Sequence, residues 1–335
     1  MTRHAQDRSD DFSAGRRGGP DPARRRDRGS TGLAEHGPVD DPVVTARALF
    51  KVFGRGENAV TALDGVDVSI ARARFTAIMG PSGSGKSTLM HCLAGLESAT
   101  SGTIALDGQE ITSMSQRRLT RLRRERIGFV FQSFNLVPSL TAGENITLPL
   151  DIARRKVERS HFDQVVEAVG LSDRLSHRPA ELSGGQVQRT ACARSIVGRP
   201  AVVFADEPTG NLDSRATEQV LRVLRSSVDD FDQSVVMVTH EAEAAAWADT
   251  VLFLRDGRVV AEMNDPDRDR VLEALHDLGS PGGGSIGRGR SAGASGAGGI
   301  TGSTAGTAGS TAGAVPTPPG DGPAAGPAGA QGAAL

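Results

Sequence analysis

Short apolar runs, each closed by glycine, proline or polar residues, recur through the middle of the chain. FTAIM (75–79), IGFVF (127–131), AVVFA (201–205) and SVVMVT (234–239) are continuous and rich in β-branched residues. Such runs predict strands buried on both faces of a largely parallel sheet. VDVSI (66–70) and TIALDG (103–108) predict antiparallel strands beside it, and VLFLRDGRVVAE (251–262) reads as a hairpin about Asp256-Gly257. KSTLMHCLAGL (86–96) reads as a helix. From about residue 139 to residue 181 the periodicity is helical only, interrupted by proline in LPLD and HRPAEL, which predicts a helical insertion. No internal repeat is visible. Alternating strand and helix over residues 42–278 predicts one α/β domain.

The ends differ. Residues 1–41 mix Arg, Asp, Gly and Pro without apolar periodicity, and residues 279–335 are mostly Gly, Ala, Ser, Thr and Pro. Neither can bury enough apolar surface to offset chain entropy, so both are expected to be disordered. A formal net charge of −2 over 335 residues gives no broad surface for nucleic acid, and none is expected as a partner. Cys92 and Cys192 both fall in predicted helices, which implies packing thiols in a reducing compartment rather than a disulfide framework. No apolar run reaches the roughly 18 residues that cross a bilayer. The N-terminal stretch has an arginine pair but no apolar segment after it, so no secretion signal is expected. Lys51, Lys86 and Lys156 are the only lysines, and arginine carries the remaining positive charge.

One of those lysines stands in GPSGSGKS, Gly80 to Ser87, which fits G-x-x-x-x-G-K-[ST] between a predicted strand and a predicted helix. Gly80, Pro81, Ser82, Gly83, Ser84 and Gly85 form a loop whose backbone N–H groups can turn in on phosphate oxygens. Lys86 reaches the β- and γ-phosphates, Ser87 ligates Mg²⁺, and Thr88 completes the cradle. AVVFADEP (201–208) places Asp206 and Glu207 at a strand end, where α/β sheets bind ligands. Asp206 is expected to hold Mg²⁺ through water, and Glu207 to act as general base on the attacking water. His240 and Gln132 read as the ends of two further strands. His240 is expected to stabilise transition-state charge, and Gln132 to reach Mg²⁺ or the water. ELSGGQVQRT (181–190) offers a second phosphate cradle in Ser183, Gly184, Gly185 and Gln186. It lies beyond the helical insertion, so it is expected to serve the ATP of another subunit in a head-to-tail dimer.

These motifs, in this order and spacing, resemble the ATP-binding subunits of ABC transporters over residues 42–278. The family's motifs match GPSGSGKST, FVFQSFN, LSGGQ, AVVFADE, NLDS and VTH. The resemblance implies a P-loop core with an antiparallel β subdomain and a helical subdomain at about 133–185. It implies an ATP hydrolase using ATP and Mg²⁺, with Asp213 communicating between the two sites of a dimer. Phe53 stands where the family usually has an adenine-stacking tyrosine, and stacking needs only the ring. Val187 and Cys192 also depart from the usual residues.

MGPSGSGKSTLMHCLAGLE, RIGFVFQSFNLVP, LTAGENITLPL and ADEPTGNLDS are most similar to the lipoprotein-releasing, macrolide-exporter and cell-division group. That resemblance implies a peripheral subunit at the cytoplasmic face of the membrane, docked on a separate permease. Its work would be export or mechanotransmission; a regulatory ATPase signalling to a cell-wall hydrolase would carry the same motifs. Phe134, Leu136 and Val137 are candidates for the permease contact or for core packing. The basic run RRLTRLRRERIG (117–128) reads as a solvated helix face or a contact for anionic lipid headgroups.

Overall fold

A computed structural model describes residues 39–279 except 134 and 211. The expectations for residues 1–38 and 280–335, and the contact given to Phe134, lie outside the described residues. In chain order the strands are β1 (Pro42–Phe53), β2 (Val60–Ala71), β3 (Phe75–Met79), β4 (Ser101–Leu106), β5 (Gln109–Glu110), β6 (Ile127–Val130), β7 (Val202–Asp206), β8 (Ser234–Val238), β9 (Thr250–Arg255) and β10 (Arg258–Asn264). The helices are α1 (Lys86–Leu93), α2 (Gln116–Arg126), α3 (Ala142–Ile152), α4 (Arg159–Ala168), α5 (Gly184–Ile196), α6 (Ser214–Asp229), α7 (Ala242–Ala245) and α8 (Arg268–Gly279).

The central sheet has the order β10-β9-β3-β8-β7-β6. Its strands are parallel except β10, which returns antiparallel from β9. Every residue of β3 and β8 is buried: Phe75, Ala77, Met79, Val235 and Met237 face a core shared with α5 and α6, and Ile78, Val236 and Val238 one shared with α1, β1 and β2. The β9–β10 turn has φ of 51° at Asp256 and 74° at Gly257, a hairpin turn that suits the strand twist. Because β3, β8, β7 and β6 are neighbours, the segments leaving their C-terminal ends share one edge.

A second, antiparallel sheet has the order β2-β1-β4-β5. The sequence reading found β2 and β4 but not β1. Val44, Ala46 and Leu49 are buried, yet the register slips between Ala46 and Leu49, where Ala48 takes φ 44°. This bulge breaks the two-residue period that announces a strand. The Asp67 carboxylate secures it by accepting the Ala48 N–H at 2.9 Å. Helix α1 is also shorter than the run 86–96: Gly95, at φ 62°, ends it, and the Leu96 amide donates back to the His91 carbonyl.

The insertion between β6 and α5 is helical, with Pro149 inside α3 and a short 3₁₀ turn at Pro179–Glu181. Thr141 and Glu144 cap α3 reciprocally, and Ile146, Leu150, Val165 and Val166 bury against Cys192 and Ile196 of the core. Asn145 is buried and anchors the segment between β6 and α3. It accepts the Val137 N–H at 2.8 Å, and its amide donates to the carbonyls of Val137, Leu140 and Thr141 at 3.1, 3.1 and 2.9 Å. Among the described residues, no helix is long and apolar enough to cross a membrane.

Candidate functional site

The loop after β3 is shaped by two glycines. A Cβ on Gly80 would lie 1.9 Å from the Leu254 carbonyl oxygen, and one on Gly85, at φ 98°, would lie 2.3 Å from that of Ala62. No other residue allows so close a backbone approach. The Gly257 amide of the β9–β10 turn donates to the Ser84 carbonyl at 3.0 Å and holds the loop from behind. Pro81, Ser82 and Gly83 are exposed at its tip, and Thr88 is half-buried on α1. Lys86 curls over the loop, donating to the carbonyls of Gly80 and Pro81 at 2.9 and 2.8 Å. Burial pulls its pKa below the ordinary lysine value, against the opposing pull of the Glu207 and Asp206 carboxylates. The buried Ser84 hydroxyl has no hydrogen-bond partner among the described residues. A cradle of glycines, a poised lysine and an unpartnered hydroxyl at a helix N-terminus fits a polyphosphate.

Next to the loop, the Ser87 hydroxyl donates to Asp206 Oδ1 at 3.1 Å. A hydroxyl and one carboxylate fit Mg²⁺, which takes few protein ligands and completes its shell with water and phosphate. Asp206 Oδ2 is met by His91 Nε2 at 3.5 Å. His91 did not emerge from the sequence, although its spacing of four from Ser87 puts both on one face of α1.

The residue after Asp206 is bound from both sides. Gln132 Nε2 donates to Glu207 Oε2 at 3.2 Å, and His240 Nδ1 lies 3.3 Å from Glu207 Oε1. β6 ends at Val130 and β8 at Val238, so Gln132 and His240 stand two residues beyond the strands rather than on their last residues. The edge shared by β6, β7 and β8 still gathers the three. Gln132 was also expected on Mg²⁺; here its amide faces Glu207. The Glu207 amide donates to the Val238 carbonyl at 3.0 Å, and its φ is 44°. Two further links surround this cluster and were missed in the sequence. Buried Gln188 of α5 donates to the Pro208 carbonyl at 2.7 Å, and the Thr209 hydroxyl donates to Glu241 at 3.1 Å.

The second cradle stands apart from the first. Ser183 caps α5: its hydroxyl accepts the Gln186 amide at 3.3 Å, and the Gln186 side chain accepts the Ser183 amide at 2.8 Å. Asp213 caps α6 in the same manner, accepting the Ala216 amide at 2.8 Å. The two helix starts face a common hollow of about 260 Å³, lined among others by Ser183, Gly184, Gly185 and Asp213 and by no residue of 80–88. A Cβ on Gly185 would lie 3.0 Å from Ala216 Cβ, so glycine lets α5 and α6 approach here. Phe53, at the end of β1, is 41% exposed. Cys92 and Cys192 are buried, and burial pushes their thiols up to about 11 and about 12.

The chain matches the ABC transporter family model over residues 63–210. An uncharacterized ABC transporter ATP-binding protein of Thermotoga maritima is 43% identical over 213 residues, 63% of this chain and 91% of the relative. The macrolide export ATP-binding/permease protein MacB of Bdellovibrio bacteriovorus is 41% identical over 220 residues, 66% of this chain but 34% of MacB. Among solved structures, a dimeric, post-hydrolysis state of the ATP-binding cassette MJ0796 bound to ADP and Pi is similar at a TM-score of 0.61 and 36% identity, covering 67% of this chain and 99% of that one.

Proposed function

Because the chain belongs to the ATP-binding proteins of ABC transporters, we propose that it is the ATP-hydrolysing subunit of an export or mechanotransmission system, docked on a separate permease at the cytoplasmic face of the membrane. One observation carries the catalytic part: Glu207 is held between Gln132 and His240, one residue from the Asp206 that meets Ser87. The similarity to MacB, an export protein with its own permease portion, supports the transport part.

In this reading the backbone N–H groups from Ser82 to Thr88 hold the phosphates of the substrate ATP. Lys86 leaves the carbonyls of Gly80 and Pro81 for the β- and γ-phosphates. Ser87 and Asp206 would hold Mg²⁺, which supplies charge neutralisation at the phosphates. Glu207 orients the attacking water and takes its proton, while Gln132 and His240 fix the two carboxylate oxygens. With Nδ1 turned to Glu207, His240 leaves Nε2 for the phosphoryl group. Ser183, Gly184, Gly185 and Gln186 offer the N-terminus of α5 to the ATP held by a second subunit, and Asp213, at the same hollow, reports between the sites. The dimeric state of MJ0796 supports this arrangement.

The test is a membrane pull-down with tagged Glu207→Gln chain and Mg·ATP. The expected result is co-purification of a permease with few spans and a large extracytoplasmic domain. Recovery of ribosomal or DNA-bound proteins alone would overturn the transport reading and leave the ATPase chemistry standing.

A further inference from the structure

Lys51 is one of three lysines in a chain that otherwise uses arginine, and it is 9% exposed. It precedes Phe53 by two residues on β1, so both side chains leave the same face of the strand. Its ammonium donates to Glu97 Oε1 at 2.6 Å and to the Ser98 carbonyl at 2.7 Å. The same nitrogen stands 4.6 Å from the centroid of the Phe53 ring. Two oxygens and one aromatic face surround a compact cation; the broad planar fork of arginine would not fit this arrangement in the same way. The carboxyl of Glu97 is held below the usual range, chiefly by the hydrogen bond from Lys51. Glu97 lies in the turn that ends α1, where its amide donates to the His91 carbonyl at 3.1 Å.

An exposed ring at a strand end must lose rotamer freedom before it can stack on a ligand, and that ordering weakens binding. A fixed charge against one ring face removes part of the cost. It also draws ring electron density toward itself, which favours an electron-rich purine on the opposite face.

We propose that Lys51 is a positioning residue for base recognition: its ammonium, fixed by Glu97 and Ser98, holds the Phe53 ring for stacking on a purine base. This rests on the reading of Phe53 as the base-stacking ring. The chain from Phe53 through Lys51 and Glu97 reaches the C-terminal end of α1, and the N-terminal end of that helix carries the phosphate loop. The base and phosphate subsites are therefore set relative to one another by one rigid helix.

The test compares ATP with inorganic tripolyphosphate, which has the phosphates but no base. Dissociation constants are measured by calorimetry on the full-length chain, on Lys51→Met, on Phe53→Ala and on the double variant. Lys51→Met is expected to weaken ATP about fivefold, the size of a modest cation–π contact, with tripolyphosphate unchanged. Phe53→Ala should weaken ATP at least as much, and the double variant no further than Phe53→Ala alone. Unchanged ATP affinity in Phe53→Ala would overturn the base-stacking reading itself. Weakening by Phe53→Ala but not by Lys51→Met would overturn the role of Lys51 alone. Equal weakening of both ligands by Lys51→Met would place its effect on the phosphate loop or the fold, and also overturn the proposal. Should Lys51→Met not fold, Lys51→Gln replaces it, since its amide can still donate to Glu97 and the Ser98 carbonyl but brings no cation to the Phe53 ring. Loss of ATP affinity alone supports the proposal; no loss, or equal loss of both ligands, overturns it.

Discussion

Glu207 holds its backbone at φ 44°, a left-handed value that costs a non-glycine residue about 1 kcal/mol or more. The hydrogen bond from its N–H to the Val238 carbonyl and the one its own carbonyl accepts from the Gly210 N–H maintain that value. With that backbone, the carboxylate lies between Gln132 and His240. Glu207→Gln preserves shape and loses basicity, so turnover should fall by about 100-fold or more while ATP binding survives. Turnover at the parent rate would remove Glu207 from the role of base, and persistence of an ATP-bound dimer on gel filtration would support it. The thiols of Cys92 and Cys192 make a different prediction. An ordinary thiol ionises at about 8.5, while these are pushed up to about 11 and about 12 by burial. Each folded pKa is raised, so each contributes stability in full below about pH 8.5, and that contribution is lost as pH climbs toward the folded values. Iodoacetamide at pH 8 should leave both thiols intact in the folded chain and modify both in denaturant; rapid alkylation of the folded chain would refute their burial. The motif residues were legible because motif spacing encodes a local turn. His91, Gln188 and Asn145 were not, because each acts on a partner brought close only by folding or by the helical face.

At the scale of elements, what could be read was whatever has a period. The buried parallel strands and the hairpin at Asp256-Gly257 carry strong local signals, and the structure has them within a residue or two. β1 was invisible because its bulge at Ala48 destroys the alternation on which recognition depends. The helical insertion was visible as an absence of strands, but what fixes it to the sheet was not. That fixture is Asn145, whose side chain accepts one hydrogen bond and shares its two N–H donors among three carbonyls of the segment 137–141. The segment lies between Gln132 and α3. Asn145→Ala leaves several of these backbone groups unpaired in a buried place, and should destabilise the chain by about 3 kcal/mol. Urea unfolding measures this through the midpoint at constant slope. A loss below about 0.5 kcal/mol would mean that water replaces the side chain and that the segment is held by other contacts.

At the scale of the molecule, two phosphate cradles remain to be reconciled with one chain. The hollow at Ser183–Gly185 contains no residue of the loop 80–88, and the loop already surrounds its own lysine and serine. In the proposed function each chain offers one half-site with Lys86 and another with Ser183. A cyclic pair joins each to the complement on its partner and closes on itself, whereas unpaired chains leave both open. Mixing separates this from any arrangement within one chain. Lys86→Ala destroys the first half-site and Ser183→Arg the second, so neither variant alone should hydrolyse ATP. In an equal mixture about half the dimers are mixed, and in each of these one of the two composite sites is intact, because it pairs Lys86 of the Ser183→Arg chain with Ser183 of the Lys86→Ala chain. Hydrolysis should then return to at most about a quarter of the parent rate, less if the two sites must act together. If both cradles served the same chain's nucleotide, every chain in the mixture would still carry a lesion in its only site, and mixing would restore nothing. Binding by the isolated Ser183→Arg chain supplies the control. Its loop is untouched, so ATP affinity in the monomer should match the parent, and a matching loss there would return the second cradle to its own chain.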